Sequence, residues 1–83
     1  MKNVIIYSSM FCGYCHRAKA LLKQRNIPFK DISVDMDPAA RAEMREKAGG
    51  RNTVPQIFSD GTHIGGCDEL YALDAKQPLT LDN

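Results

Sequence analysis

Cys12 and Cys15 enclose Gly13 and Tyr14, and this tetrapeptide follows a short apolar run, Val4-Ile5-Ile6-Tyr7, and opens a stretch with helical periodicity. A cysteine at a helix amino terminus meets unpaired backbone N–H groups and the positive end of the helix dipole, both of which stabilise a thiolate. The second cysteine, three positions on, lies on the same helical face within reach of a disulfide. The placement suggests redox chemistry. Half of a zinc site is the competing reading, but zinc takes about four ligands. Cys67, His16 and His63 supply no second Cys-x-x-Cys pair, so no metal site is expected.

Composition narrows the setting for that chemistry. With 83 residues the chain suffices for one domain, expected over residues 1–83; a domain of this size buries roughly 60–65% of its unfolded surface. Apolar residues at 43% and charged residues at 25% argue against disorder, collagen-like repeats and membrane spans. The 11 basic and 10 acidic side chains are interspersed and leave a formal charge of +1. No single-sign field recruits nucleic acid or an anionic membrane, and neither partner is expected. The apolar stretch after Met1-Lys2-Asn3 is about four residues long, too short for a signal-peptide core. The chain therefore reads as intracellular and cytoplasmic. Three cysteines do not make the even set of a secreted disulfide framework. In a reducing cytosol, Cys-x-x-Cys near a βαβ pattern is catalytic or metal-binding rather than structural.

The elements that must position the two thiols follow from periodicity. Residues 4–8 are β-branched and aromatic with no polar break, as in a buried central strand. From 14 to about 25, Ala18, Leu21 and Leu22 recur at helical spacing, and Asn26 and Pro28 end the helix. Residues 29–34 alternate imperfectly and read as strand. Asp35 or Asp37 caps the next helix, Pro38 suits its first turn, and the stripe Ala40, Met44, Ala48 runs to Gly49-Gly50. Residues 54–59 form a strand interrupted at its start by Pro55, and Asp60-Gly61 turns it into a hairpin with Thr62-His63-Ile64. After Gly65-Gly66, residues 68–75 form a helix with Leu70 and Leu73 on one face. The tail from Lys76, which contains Pro78, is expected to fray. The order is βαβ then ββα: an α/β fold with a four-stranded mixed sheet and helices on its faces.

Cys12-Gly13-Tyr14-Cys15, Thr53-Val54-Pro55 and Gly65-Gly66-Cys67-Asp68 occur in the order and approximate spacing of glutaredoxins. Each motif alone is weak, but together they resemble that family over nearly the whole chain, nearest to its small bacterial dithiol type. The resemblance implies a thioredoxin-like fold with three flanking helices and a glutathione-dependent thiol–disulfide oxidoreductase. Glutathione is then the reducing co-substrate, and disulfide-containing or glutathionylated proteins are the partners of an expected monomer. Cys12 is the expected nucleophile and Cys15 the more buried resolving thiol.

Pro55, in a position where an edge-strand trans proline is the ordinary reading, resembles a proline that glutaredoxins hold cis beside the redox cysteine. The Thr53-Val54-Pro55 segment would then pair with an extended tripeptide through Val54. Gly66, Cys67 and Asp68 would hold the γ-glutamyl end of glutathione, the helix terminus taking its carboxylate and Asp68 its amine. Read without the resemblance, Asp68 simply compensates the helix dipole. Tyr14 either covers the sulfur of bound glutathione or packs in the core. Cys67 is either a small residue at a helix start or a site of oxidation, and His16 is expected to point to solvent.

Two departures from the family pattern stand out. Ser9 occupies a position where many glutaredoxins have a lysine for the glycyl carboxylate, and Arg41, Arg45 and Arg51 are the candidate replacements. Gly13 stands where the commonest dithiol motif has proline. Some glutaredoxins with glycine there bind a [2Fe-2S] cluster between two chains, which makes cluster binding or delivery an alternative function. A thioredoxin-like reductant fed by thioredoxin reductase is the other alternative, and Gly65-Gly66-Cys67-Asp68 speaks against it.

Overall fold

The computed structural model describes residues 1–81. Its centre is β1 (Val4–Ser8), parallel to β2 (Phe29–Ser33) on one side and antiparallel to β3 (Gln56–Ser59) on the other. The hairpin partner β4 (Thr62–Gly65) completes the order β2-β1-β3-β4. A central strand covered on both faces favours apolar residues on both, which is why the run from Val4 to Tyr7 is unbroken, and the buried Ser8 that ends it is hydrogen-bonded to Asp31. Val4 and Ile6 pack with Leu21 and Leu22 of α1 (Gly13–Gln24) and Leu70 of α3 (Cys67–Lys76). Ile5 and Tyr7 face the opposite way, toward Met44 of α2 (Pro38–Lys47) and Phe58. The result is the expected thioredoxin-like arrangement, with α1 and α3 on one face and α2 on the other. No helix among the described residues is long and apolar enough to cross a membrane.

Local chemistry sets most boundaries. Asp60 (φ 49°) and Gly61 (φ 79°) both take left-handed backbone, the signature of a type I′ hairpin turn. Asp37 caps α2 by accepting the Ala40 N–H at 3.0 Å, with Pro38 in the first turn. Helices α1 and α3 each begin one residue earlier than periodicity indicates, at Gly13 and Cys67, and β3 begins only at Gln56. The Val54–Pro55 bond that precedes β3 is cis, as the resemblance implied.

Of the two leucines on one face of α3, Leu70 is fully buried and Leu73 is 40% exposed, because only the stripe through Cys67 and Leu70 enters the core. One expectation fails. The tail does not fray between residues 76 and 81: Lys76 closes α3, and Leu79 returns to the core. Asp74 holds this return, accepting the Leu79 N–H at 2.9 Å and a bidentate pair of bonds from Arg25, both at 2.9 Å. The Met1 ammonium donates to the Thr80 carbonyl and ties the two ends of the chain together. The rest of the expected fraying falls on residues 82–83, which lie outside the described residues.

The Arg25 guanidinium, helped by the Leu79 N–H, lowers the Asp74 carboxyl from 3.8 to about 2. A folded-state value below the unfolded one stabilises the fold above the ordinary value and loses that contribution as pH falls through the depressed one. Between about pH 4 and pH 2, denaturant unfolding of the parent should therefore weaken more steeply than that of Asp74→Asn. Parallel pH profiles would remove the carboxylate from the account of tail docking.

Candidate active site

Cys12 is the N-cap residue of α1, with extended backbone (φ −105°, ψ 111°) and its sulfur accepting the Cys15 N–H at 3.1 Å. Serine or aspartate usually supplies this acceptor; here a thiol does. A sulfur carrying negative charge accepts such a bond more strongly than a neutral one. No acidic residue occupies the first turn of α1. The Cys12 Sγ also lies 3.7 Å from the Val54 carbonyl, to which the thiol donates.

Cys12 is half-buried and Cys15 fully buried, one turn along the same helix. Burial pushes the Cys15 thiol up to about 12, and its hydrogen bond with Cys12 adds to the rise. The two sulfurs are thus chemically unequal: Cys12 is open to a partner, and Cys15 is held back as a protonated reserve.

The loop before Cys12 is pinned from outside the motif. Asp35 accepts the Met10 N–H at 2.8 Å and the Ser9 hydroxyl at 2.7 Å, bonds that hold its carboxyl below the usual range. Ser9, where many glutaredoxins have a lysine, thus gives its hydroxyl to the pinning of this loop. The His16 ring is exposed, as expected, and its Nε2–H donates to the Met10 carbonyl at 2.8 Å.

Beside Cys12 runs a groove of about 130 Å³. Thr53, Val54 and Pro55 form one wall, and Gly66, Cys67 and Asp68 form another. Tyr14 lines it too. Every binding residue read from the sequence thus borders one cavity, and the Val54 carbonyl links it to the Cys12 sulfur. Tyr14 is 58% exposed, which excludes the core reading. The Arg17 guanidinium lies 5.9 Å from the Tyr14 ring and 5.4 Å from the Tyr71 ring, bracing Tyr14 from the side.

At the far end, Gly66 caps α3 without a side chain, so no side-chain acceptor covers the first-turn N–H groups. An anion can take that place. Cys67 is buried, and burial pushes its thiol up, which favours the small-residue reading over that of an oxidation site. Asp68 is exposed at the rim.

Two further residues line the groove, Arg51 and Glu69. Arg51 is one of the three candidate cations; Arg41 instead donates to the Asn52 carbonyl at 3.2 Å. Glu69 had no assigned part, because a carboxylate in a first turn reads as dipole compensation. Gln56 was missed as well. It is fully buried, donates to the Thr53 carbonyl at 3.0 Å and hydroxyl at 3.2 Å, and accepts from His63 at 2.6 Å. Those bonds brace the Thr53–Pro55 wall, and the available signal was a lone amide set directly before the apolar pair Ile57-Phe58.

A family model described as Glutaredoxin matches residues 4–64. Glutaredoxin 3 of Escherichia coli (strain K12) is 55% identical over 79 residues, covering 95% of this chain and 94% of that protein. The solution structure of a glutaredoxin from Brucella melitensis superposes with a TM-score of 0.81 at 46% identity, over 100% of this chain and 94% of the other. A buckwheat glutaredoxin–glutathione complex gives 0.81 at 33% identity, over 92% and 71%. A thiol N-cap, a buried second thiol and a cis proline beside the first thiol agree with that likeness across nearly the whole chain, which belongs to the glutaredoxin family of thiol–disulfide oxidoreductases.

Proposed function

We propose that the 83-residue chain acts in the cytoplasm as a monomeric, single-domain reductase of protein–glutathione mixed disulfides and protein disulfides, with glutathione as reductant. The observation that carries this reading is the groove: one cavity joins a strand-like wall at Val54 to the open amino end of α3, and the Val54 carbonyl in that wall lies 3.7 Å from the Cys12 sulfur. A cysteine-centred peptide with an anionic end fits those three features, and glutathione is such a peptide. The buckwheat relative was solved as a glutathione complex, which supports the same ligand here.

In this mechanism the Cys12 thiolate attacks the glutathione sulfur of a protein–glutathione disulfide. The protein thiolate leaves and takes up a proton, and Cys12 carries glutathione. A second glutathione thiolate then attacks the bound glutathione sulfur, releasing oxidised glutathione and restoring Cys12. In the dithiol route Cys12 attacks a protein disulfide, Cys15 attacks the resulting mixed disulfide and releases the protein dithiol, and two glutathione thiols in turn open the Cys12–Cys15 disulfide and leave as oxidised glutathione. Thr53, Val54 and Pro55 hold the extended backbone, Tyr14 flanks the sulfur, and Gly66, Cys67 and Asp68 receive the γ-glutamyl end.

The test supplies parent protein with either glutathione and glutathione reductase or NADPH and thioredoxin reductase. Turnover is expected from the first couple alone. Turnover from thioredoxin reductase without glutathione would overturn the reading in favour of a thioredoxin-like reductant.

The open space around Gly13, where a Cβ would meet nothing within 4 Å, also leaves room for a [2Fe-2S] cluster shared with a second chain. Among the described residues no three His, Cys, Asp or Glu side chains converge. This chain would therefore give Cys12 alone, with glutathione completing the ligands. A colourless monomer after anaerobic purification with glutathione removes this second reading.

A further inference from the structure

Glu69 folds back over Gly65 to reach two donors at once. Its Oε1 accepts the Gly66 N–H at 3.1 Å and Arg51 Nη1 at 2.6 Å. The turn is built for this: a Cβ on Gly65 would lie 2.6 Å from Glu69 Oε1 and 2.8 Å from Glu69 Cβ. Arg51 belongs to the loop after α2, eighteen residues away in sequence, so the carboxylate ties that loop to the amino end of α3. Among the described residues only one guanidinium nitrogen is engaged. Nη2 sits 3.6 Å from where a Gly66 Cβ would be, at the groove end where the N–H groups of α3 have no side-chain cap.

We propose that Arg51, oriented by Glu69, is a specificity-determining residue that binds the α-carboxylate of the γ-glutamyl end of glutathione. This inference rests on the glutathione reading of the groove and adds a side-chain cation to a site otherwise made of backbone donors. Glu69 is a positioning residue: it occupies Nη1 and leaves Nη2 to the ligand. Arginine suits the task because its planar fork serves two carboxylates in fixed directions, which a lysine ammonium does not. The arrangement favours glutathione over a thiol peptide that lacks a carboxylate at that end, because such a peptide leaves Nη2 and the α3 amides without their anion.

The experiment measures glutathione-coupled turnover with glutathione and with its analogue amidated at the γ-glutamyl α-carboxylate. Loss of one charge-assisted contact costs about tenfold in affinity. The parent should show a KM at least about tenfold higher for the analogue, and Arg51→Gln a raised KM for glutathione with the discrimination cut to the share that the α3 amides supply. For both proteins kcat should move by less than about twofold, the mark of a contact made equally in ground and transition states. Arg51→Lys should restore only part of the discrimination. Glu69→Gln, which retains the Arg51 charge but weakens its anchor, should fall between parent and Arg51→Gln.

An Arg51→Gln protein that still discriminates the two substrates as the parent does would overturn the proposal. So would a parent that does not discriminate. Absence of glutathione turnover by the parent overturns the functional reading itself, and with it this inference, so the two failures are distinct.

Discussion

Cys12→Ser is expected to lower glutathione-coupled turnover at least about a thousandfold while leaving the fold intact, because the hydroxyl replaces the nucleophile and not the cap. Serine is a favoured N-cap residue, and its oxygen can take the Cys15 N–H that the sulfur now accepts. Thermal unfolding should therefore stay within about 1 kcal/mol of the parent. The loss would belong to chemistry and not to stability.

The companion variant separates the two thiols. In Cys15→Ser, removal of glutathione from mixed disulfides should stay within about threefold of the parent, and reduction of protein disulfides through the dithiol route should be lost. The reason is the inequality of the sulfurs: Cys15 is fully buried and pushed up to about 12, so it is a reluctant thiolate beside free glutathione. Turnover by Cys12→Ser equal to that of the parent would end the mechanism. Loss of both activities in Cys15→Ser would show that the buried thiol is obligatory.

The largest single loss of stability expected near the site is from Gly65→Ala. The φ of Gly65 is +126°, a region costing an L-residue about 1–3 kcal/mol. The added methyl would also lie 2.7 Å from Glu69 Cγ and 2.8 Å from Glu69 Cβ. A carboxylate tip can swing away, but Cβ is fixed by the backbone of α3. Either the helix shifts or Gly65 changes conformation. Together these put the loss at about 3 kcal/mol and the fall in melting temperature at roughly 12–24 °C.

Because Glu69 must move, the Gly66 and Arg51 bonds go with it, and KM for glutathione should rise alongside. Gly13→Ala is the control, since a Cβ there meets nothing within 4 Å at the first position of α1. Its stability should stay within about 1 kcal/mol of the parent, on the favourable side given the helix propensities. Equal melting temperatures for the two alanine variants would show that the Glu69 clamp is not strained by a side chain at Gly65.

Much of the molecule was legible from short-range signals. The unbroken Val4–Ser8 run, the Leu21 and Leu22 spacing, the Asp60-Gly61 turn and the Asp37-Pro38 cap each act over a few residues, and each lies where it was expected. The cis Val54–Pro55 bond belongs to a different category: base rates favour trans, and only the resemblance implied otherwise. The docking of the tail at Leu79 was not legible because Pro78 and a polar neighbourhood look like a frayed end. The contact that docks it runs through Asp74 to Arg25, forty-nine residues earlier.

The order of elements and the assignment of Cys12 and Cys15 to one helix start were determined by the sequence alone. Backbone preference, capping and apolar period are local, so they can be read without knowing what lies opposite. Tertiary structure decided what surrounds those thiols: Gln56 bracing Thr53, Asp35 claiming Ser9, and Glu69 selecting Arg51 as the cation in the groove. The reach of a long polar side chain is only a few ångströms, and several partners compete for it. Which one it meets depends on the segments that folding brings alongside.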